Sequence, residues 1–166
     1  MENELIVCQS LSKFYGRQNA LQDVNLKVGR GKIIGLLGPN GSGKTTLIKL
    51  LCGLLQQTSG SLLIDGQVPG PYTKSIISYL PDRMYFADWM KASDLMNLFQ
   101  DFYKDFDRKK AEDMCRSLNL NLNSRIKTMS KGTKEKLQLV LVMSRKAQLY
   151  LLDEPIAGVD PAARDF

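Results

Sequence analysis

Histidine is absent from this 166-residue chain. That excludes a Ser-His catalytic pair and any metal site built on imidazole. Cysteine is scarce: Cys8, Cys52 and Cys115 are odd in number, widely spaced and without a C-x-x-C pair. Such a pattern fits reduced packing residues of a cytosolic protein, not a disulfide framework or a zinc site. No apolar run approaches the roughly 20 residues needed to cross a bilayer. The opening residues Met1, Glu2, Asn3 and Glu4 lack the basic-then-apolar layout of a secretory leader. A guanine-reading N-K-x-D or T-K-x-D tetrad is also missing, because the run from Thr133 to Lys136 lacks the final acid.

What is present is an ordinary globular composition. Hydrophobic residues make up 43% and charged residues 24%, which suits one domain with its own core. The net charge is +6, with basic clusters at residues 108–110, 125–136 and 145–146. No interleaving of basic and aromatic residues accompanies them. Solvated helix faces and phosphate-binding loops therefore account for the charge better than a nucleic-acid surface, and no nucleic-acid partner is expected.

The most informative segment is GPNGSGKT, residues 38–45, which fits G-x-x-x-x-G-K-[ST]. A triphosphate tail needs several inward N–H groups, a cation and a metal-holding hydroxyl in one place. Gly38, Gly41 and Gly43 let the backbone curl close to phosphate, with Pro39, Asn40 and Ser42 completing the loop. Lys44 supplies a charge for the β- and γ-phosphates, and Thr45 a hydroxyl for Mg²⁺. Thr46 lies in the first turn of the helix that leaves the loop and aims its positive end at the anion. The plainer reading of such a stretch is a glycine-rich surface turn. Its flanks favour the phosphate loop: residues 32–37 (KIIGLL) read as a buried strand entering it, and residues 46–52 (TLIKLLC) as an apolar helix leaving it.

Strands are also expected at residues 5–8, 21–28, 61–65 and 75–80, the last ended by Pro81. The period then changes from two to 3.6. Leu95, Leu98, Phe99 and Phe102 share one helix face, with Ser93 as a plausible N-cap. Ala111, Met114, Cys115 and Leu118 share another, behind Asp107. A third helix over residues 133–146 is apolar on most sides at residues 139–143, which predicts burial. Asp160 and Pro161 read as an N-cap followed by proline at the first helical position.

A second chemical cluster follows a short strand at residues 148–152. Asp153 and Glu154 end that strand as paired carboxylates. Behind a phosphate loop they read as the Walker B pair: Asp153 holds Mg²⁺, mostly through water, and Glu154 acts as general base toward the attacking water. The plainer alternative is a strand that simply ends in a solvated acidic pair.

Together these residues resemble the ATP-binding cassette (ABC) family, the motor domains of membrane transporters, over nearly the whole chain. Tyr15, in KFYG, matches the aromatic that stacks on adenine, against the alternative of a strand-edge tyrosine. Residues 77–82 (ISYLPD) match the segment carrying the Q-loop, residues 129–133 (MSKGT) the signature loop, and residues 158–160 the D-loop. The resemblance implies an α/β fold: a P-loop NTPase core with an N-terminal antiparallel β-subdomain and an inserted helical subdomain. It implies a single, incomplete nucleotide-binding domain over residues 1–166, with the helical insert at about residues 88–146. It further implies ATP and Mg²⁺ as ligands, and two partners: a second cassette and an integral-membrane permease. Location would be cytoplasmic, peripheral on the inner face of the membrane. Ser130 and Gly132 would cap the triphosphate held by the other cassette in a head-to-tail dimer. Their alternative is a simple N-capped helix, with the Ser130 hydroxyl taken up by the residue 132 or 133 N–H.

Three departures from the family pattern stand out. Lys131 and Thr133 replace glycine and glutamine in the signature. Asp82 stands where the family has glutamine; as a carboxylate it can ligate Mg²⁺ but cannot donate a hydrogen bond when ionised. No strand ending in a switch histidine follows the D-loop, so the C-terminal strands are expected to be missing and hydrolysis impaired.

Overall fold

The computed structural model describes residues 4–154. The predicted D-loop and the Asp160–Pro161 helix start lie outside the described residues. The chain divides into two compact units, one running to Ile77 and the other starting at Ser78.

The first unit is built on a three-stranded antiparallel sheet of order β2-β1-β3, with β1 Glu4–Tyr15, β2 Gln18–Gly29 and β3 Ser59–Ile64. Leu5, Ile6, Cys8 and Leu11 of β1 are buried, as are Leu62 and Ile64 of β3. Both β1 and β2 are longer than the expected strands. Their extra length reaches a two-residue hairpin that joins Tyr15 to Gln18, with Gly16 at φ 58° in its first position. The β1–β2 register shifts between Leu11 and Lys13, where Asp23 at φ 48° turns its N–H onto Ser12 Oγ at 2.9 Å. This bulge inserts an extra residue into β2. Helix α1 (Lys44–Leu51) packs on β2 and buries Leu47, Ile48, Leu50 and Leu51.

Two expectations in this unit fail. Residues 32–37 are not a strand and are not buried: Ile33 is 102% and Leu37 92% exposed. An apolar run becomes a strand only beside a ladder of backbone partners. Among the described residues, none of the named strand pairings involves this segment. Residues 75 and 76 belong instead to a short helix, α2 (Pro71–Ile76). Pro71 at its first position has no N–H to lose, and Gly70 N–H donates to Thr73 Oγ1 at 2.8 Å.

The second unit pairs β4 (Ile77–Leu80) with β5 (Leu149–Leu152) and connects them through α3 (Ala92–Phe102), α4 (Arg108–Ser117) and α5 (Lys131–Met143). One buried cluster joins the three helices. It includes Leu95 and Met96 of α3, Ala111 and Cys115 of α4, and Leu137, Val140 and Leu141 of α5. Phe99 adds aromatic contacts, with its ring 5.4 Å from Tyr103 and 5.6 Å from Phe106. Leu95 is buried and Leu98 and Phe99 pack against the cluster as the 3.6 spacing predicts, but Phe102 is 74% exposed, and Met96, off the expected face, is buried instead.

The helix starts are specific. Asp107 caps α4 by accepting from Lys110 N–H at 3.0 Å. For α3 the cap is Lys91 rather than Ser93: two residues earlier, Asp94 reaches back to accept from Lys91 N–H at 2.8 Å. Ser78, buried, anchors β4 to α5 by donating to Val142 O at 2.9 Å. All three cysteines are buried and outside any disulfide, and burial pushes the thiols of Cys8 and Cys115 above their ordinary range.

Candidate nucleotide site

In the first unit the predicted phosphate loop is a tight turn leading directly into α1. Gly43 is the N-cap at φ 91°, a left-handed conformation. A Cβ there would lie 2.4 Å from Ala20 O and 2.7 Å from Leu21 Cδ2, so the loop comes too close to β2 for any side chain. Gly38 is less tightly constrained: a Cβ there would meet Ser42 Oγ at 2.7 Å, a side-chain atom that can turn away. Ser42 N–H closes the turn onto Pro39 O at 3.2 Å, with Asn40 and Gly41 (φ 82°) at its tip. Lys44 folds back over the loop and donates to Gly38 O at 2.8 Å and Pro39 O at 2.9 Å. Thr45 and Thr46 occupy the first turn of α1, which carries no acidic residue. Helix dipole, backbone turn and ammonium therefore act at the same end of α1, whose own first turn brings no carboxylate against them.

Tyr15 ends β1, 45% exposed. The Lys13 ammonium lies 5.1 Å from its ring centroid. Lys13 was not singled out from the sequence. Its i, i+2 relation to Tyr15 on a strand, which puts both side chains on one face, was the available signal.

In the second unit, Asp82 and Asp153 follow neighbouring strand ends. Asp153 N–H donates to Leu80 O at 2.9 Å, the last residue of β4. Asp153 is 3% exposed, whereas Glu154 beside it is exposed at φ 50°. A left-handed glutamate is uncommon, and backbone strain of this kind tends to persist at functional turns. Asp82 is more open, with Arg83 Nε 3.8 Å away. Gln138 of α5 donates to Pro81 O at 3.3 Å and so steadies the Asp82 turn.

Ser130 and Gly132 stand at the start of α5. Ser130 is its N-cap and accepts from Thr133 N–H at 3.2 Å, while the two hydroxyls lie 2.8 Å apart. The N-capped helix foreseen as the plainer alternative is therefore formed. Lys131, the first helical residue, is 3.8 Å from Glu135 Oε1.

The donor chemistry fits the expected ligands. The loop 38–46 presents a glycine-lined curve and a cation, as a polyphosphate requires. In the first unit Thr45 carries a hydroxyl and in the second Asp153 a carboxylate, each a hard oxygen donor of the kind Mg²⁺ takes.

The fold has counterparts among solved structures. It matches a solved structure described as an ATP-binding subunit of an ABC transporter with a TM-score of 0.86 and 30% identity, covering 97% of this chain and 70% of that one. A putative ABC transporter ATP-binding protein from Pyrococcus furiosus matches with a TM-score of 0.82 and 25% identity, over 96% and 80% of the two chains. The ABC transporter family model matches residues 21–157, and the chain belongs to that family. Among curated proteins it is 34% identical to the ABC transporter ATP-binding protein YtrB of Bacillus subtilis, over 96% of this chain and 56% of that protein. It is 31% identical to the SkfA peptide export ATP-binding protein SkfE of the same organism, over 98% and 71%. The chain thus spans little more than half the length of relatives such as YtrB.

Proposed function

We propose that this chain belongs to the ATP-binding and ATP-hydrolysing subunit of a bacterial ABC membrane transporter. The observation that carries the reading is the phosphate loop itself, where Lys44 closes over Gly38 and Pro39 at the start of α1. Lys44 and the loop amides bind the β- and γ-phosphates of ATP, and Tyr15 stacks on the base. Thr45 and Asp153 hold Mg²⁺, with Asp82 as a further oxygen donor; when bound, the ion neutralises charge on the phosphates. Glu154 orients and deprotonates the attacking water.

Two copies pair head to tail, so that Ser130 and Gly132 of one meet the triphosphate held by the other. Lys131, exposed in place of the family's glycine, adds a positive charge there. An integral-membrane permease is the second partner, with the exposed Tyr85 and Trp89 as contacts. The peptide export ATP-binding protein among the relatives supports the transport role. No helix among the described residues is long and apolar enough to cross a membrane, in keeping with a peripheral subunit on the cytoplasmic face.

Equilibrium binding of MgATP tests the reading. Wild-type protein is expected to bind at millimolar or lower concentration and Lys44→Ala to lose that binding while staying folded. Equal binding by both would remove the basis for the assignment.

A further inference from the structure

We propose that Lys13 is a positioning residue for the nucleobase, fixing the Tyr15 ring from one side so that only its other face is left for stacking. This rests on the reading of Tyr15 as the base-stacking residue. The two side chains leave β1 on the same face, and the Lys13 ammonium lies 5.1 Å from the Tyr15 ring centroid, within cation–π range. A lysine on an exposed strand end ordinarily samples many rotamers. Here Nζ has a backbone partner that favours one of them, Gln56 O at 2.8 Å.

Gln56 lies in the segment that follows α1. That segment is itself tied down: Leu54 and Leu55 N–H turn back onto Lys49 O at 2.9 and 3.3 Å. Thr58 N–H reaches Ser12 O at 2.9 Å, and Phe14 N–H reaches Thr58 Oγ1 at 3.1 Å. The far end of the phosphate-loop helix is thus connected, through one carbonyl and one ammonium, to the aromatic ring. Two physical effects follow. The ring is held before the base arrives, which removes part of the ordering cost of binding. The cation also draws on the π-density of the face it occupies, which eases repulsion when an electron-rich base stacks on the opposite face.

The test compares MgATP with magnesium tripolyphosphate, which has the same phosphate chain but no base, on the full chain and on Lys13→Met, Lys13→Gln, Lys13→Arg and Tyr15→Ala. Lys13→Met is expected to weaken ATP about two- to fivefold, the span of an exposed cation–π contact, and to leave tripolyphosphate unchanged. Lys13→Gln keeps a donor for Gln56 without the charge and should behave like Lys13→Met; it also covers the case in which Met does not fold. Lys13→Arg should keep wild-type selectivity. In the Tyr15→Ala background the Lys13 effect should vanish. Equal loss of ATP and tripolyphosphate, or an undiminished Lys13 effect without Tyr15, would show a merely structural lysine and overturn the proposal. If Tyr15→Ala weakens ATP but Lys13→Met does not, the Lys13 role alone is wrong. If Tyr15→Ala binds ATP as wild type does, the stacking reading fails and the Lys13 role falls with it.

Discussion

Arg145 grips Asp105 with a two-pronged contact, Nε to Oδ1 at 3.0 Å and Nη2 to Oδ2 at 3.1 Å, and lays its guanidinium 3.8 Å from the Tyr103 ring centroid. The arginine side chain is 2% exposed and the aspartate 29%. The pair ties the α3–α4 turn to the segment between α5 and β5. Lys146 N–H donates to Asp105 O at 3.1 Å and Asp107 N–H to Ser144 O at 2.7 Å in the same place. Helix α5 ends at Met143, before residue 146, the expected end: Arg145 N–H turns to Val142 O, three residues back, and Lys146 N–H leaves the helix for Asp105 O.

Removing the aspartate leaves a buried guanidinium without its carboxylate, which is more damaging than never having had the pair. Asp105→Ala is expected to destabilise the protein by about 3 kcal/mol. Arg145→Lys should recover little, since an ammonium offers neither the planar fork nor the same stacking surface. Urea denaturation midpoints check both. An Asp105→Ala midpoint equal to wild type would mean that the clamp contributes nothing to stability.

Asp107 offers a pH signature. The Lys110 backbone N–H, with the nearby Lys146 and Lys110 charges, holds its carboxyl below the ordinary value of 3.8. A depressed folded value means that the ionised form stabilises the native state. The contribution is fully present above about pH 5 and is lost as pH falls through the ordinary value toward the lower folded value. Asn is a comparable N-cap without a charge to titrate. The stability difference between wild type and Asp107→Asn should therefore be constant above that pH and shrink below it, as followed by urea unfolding at stepped pH. A difference that stays constant into the acid range would exclude this linkage.

The helical unit was legible in the sequence because its signals are local. Leu95 and Phe99, or Ala111 and Cys115, declare one face by spacing alone, and Asp107 and Ser130 announce helix starts through their own oxygens. The phosphate loop was legible because the positive φ of Gly41 and Gly43 is a local demand, although the clash that bars a side chain at Gly43 comes from Ala20 and Leu21 on β2. What failed depended on partners distant in sequence. Residues 32–37 carry strand-like apolarity, yet no named strand pairs with them among the described residues. The Arg145 clamp joins residues 40 apart, and Lys13 meets Gln56 from 43 positions away; neither pairing leaves a periodic mark. The helix at residues 71–76 was masked by the strand that follows it without a break.

The loop glycines should differ in cost. Gly41 and Gly43 both have positive φ, at 82° and 91°, but a Cβ at Gly41 would meet nothing within 4 Å, whereas one at Gly43 would strike Ala20 O. Gly41→Ala is expected to cost about 1–2 kcal/mol, the conformational penalty alone. Gly43→Ala should cost more, because α1 must also move away from β2, and it should weaken MgATP binding by displacing Lys44 and Thr45. Thermal unfolding and nucleotide titration of the two variants check the ranking; equal costs would contradict it.

Ser130 separates a structural role from a phosphate-binding one. Its oxygen already accepts from Thr133 N–H at 3.2 Å, so Ser130→Ala should destabilise α5 by about 1 kcal/mol. Asn and Asp are both competent N-caps, and both should restore that stability. They diverge only if a triphosphate from another copy approaches the start of α5. Asp would then place a negative charge against the anion, and Asn would not. Ser130→Asp is accordingly expected to keep wild-type stability while abolishing ATP-dependent dimerisation, with Ser130→Asn retaining at least part of it. Sedimentation of the three variants with and without MgATP reads the outcome. Undiminished dimerisation by Ser130→Asp would confine Ser130 to helix capping and leave the head-to-tail arrangement without its signature contact.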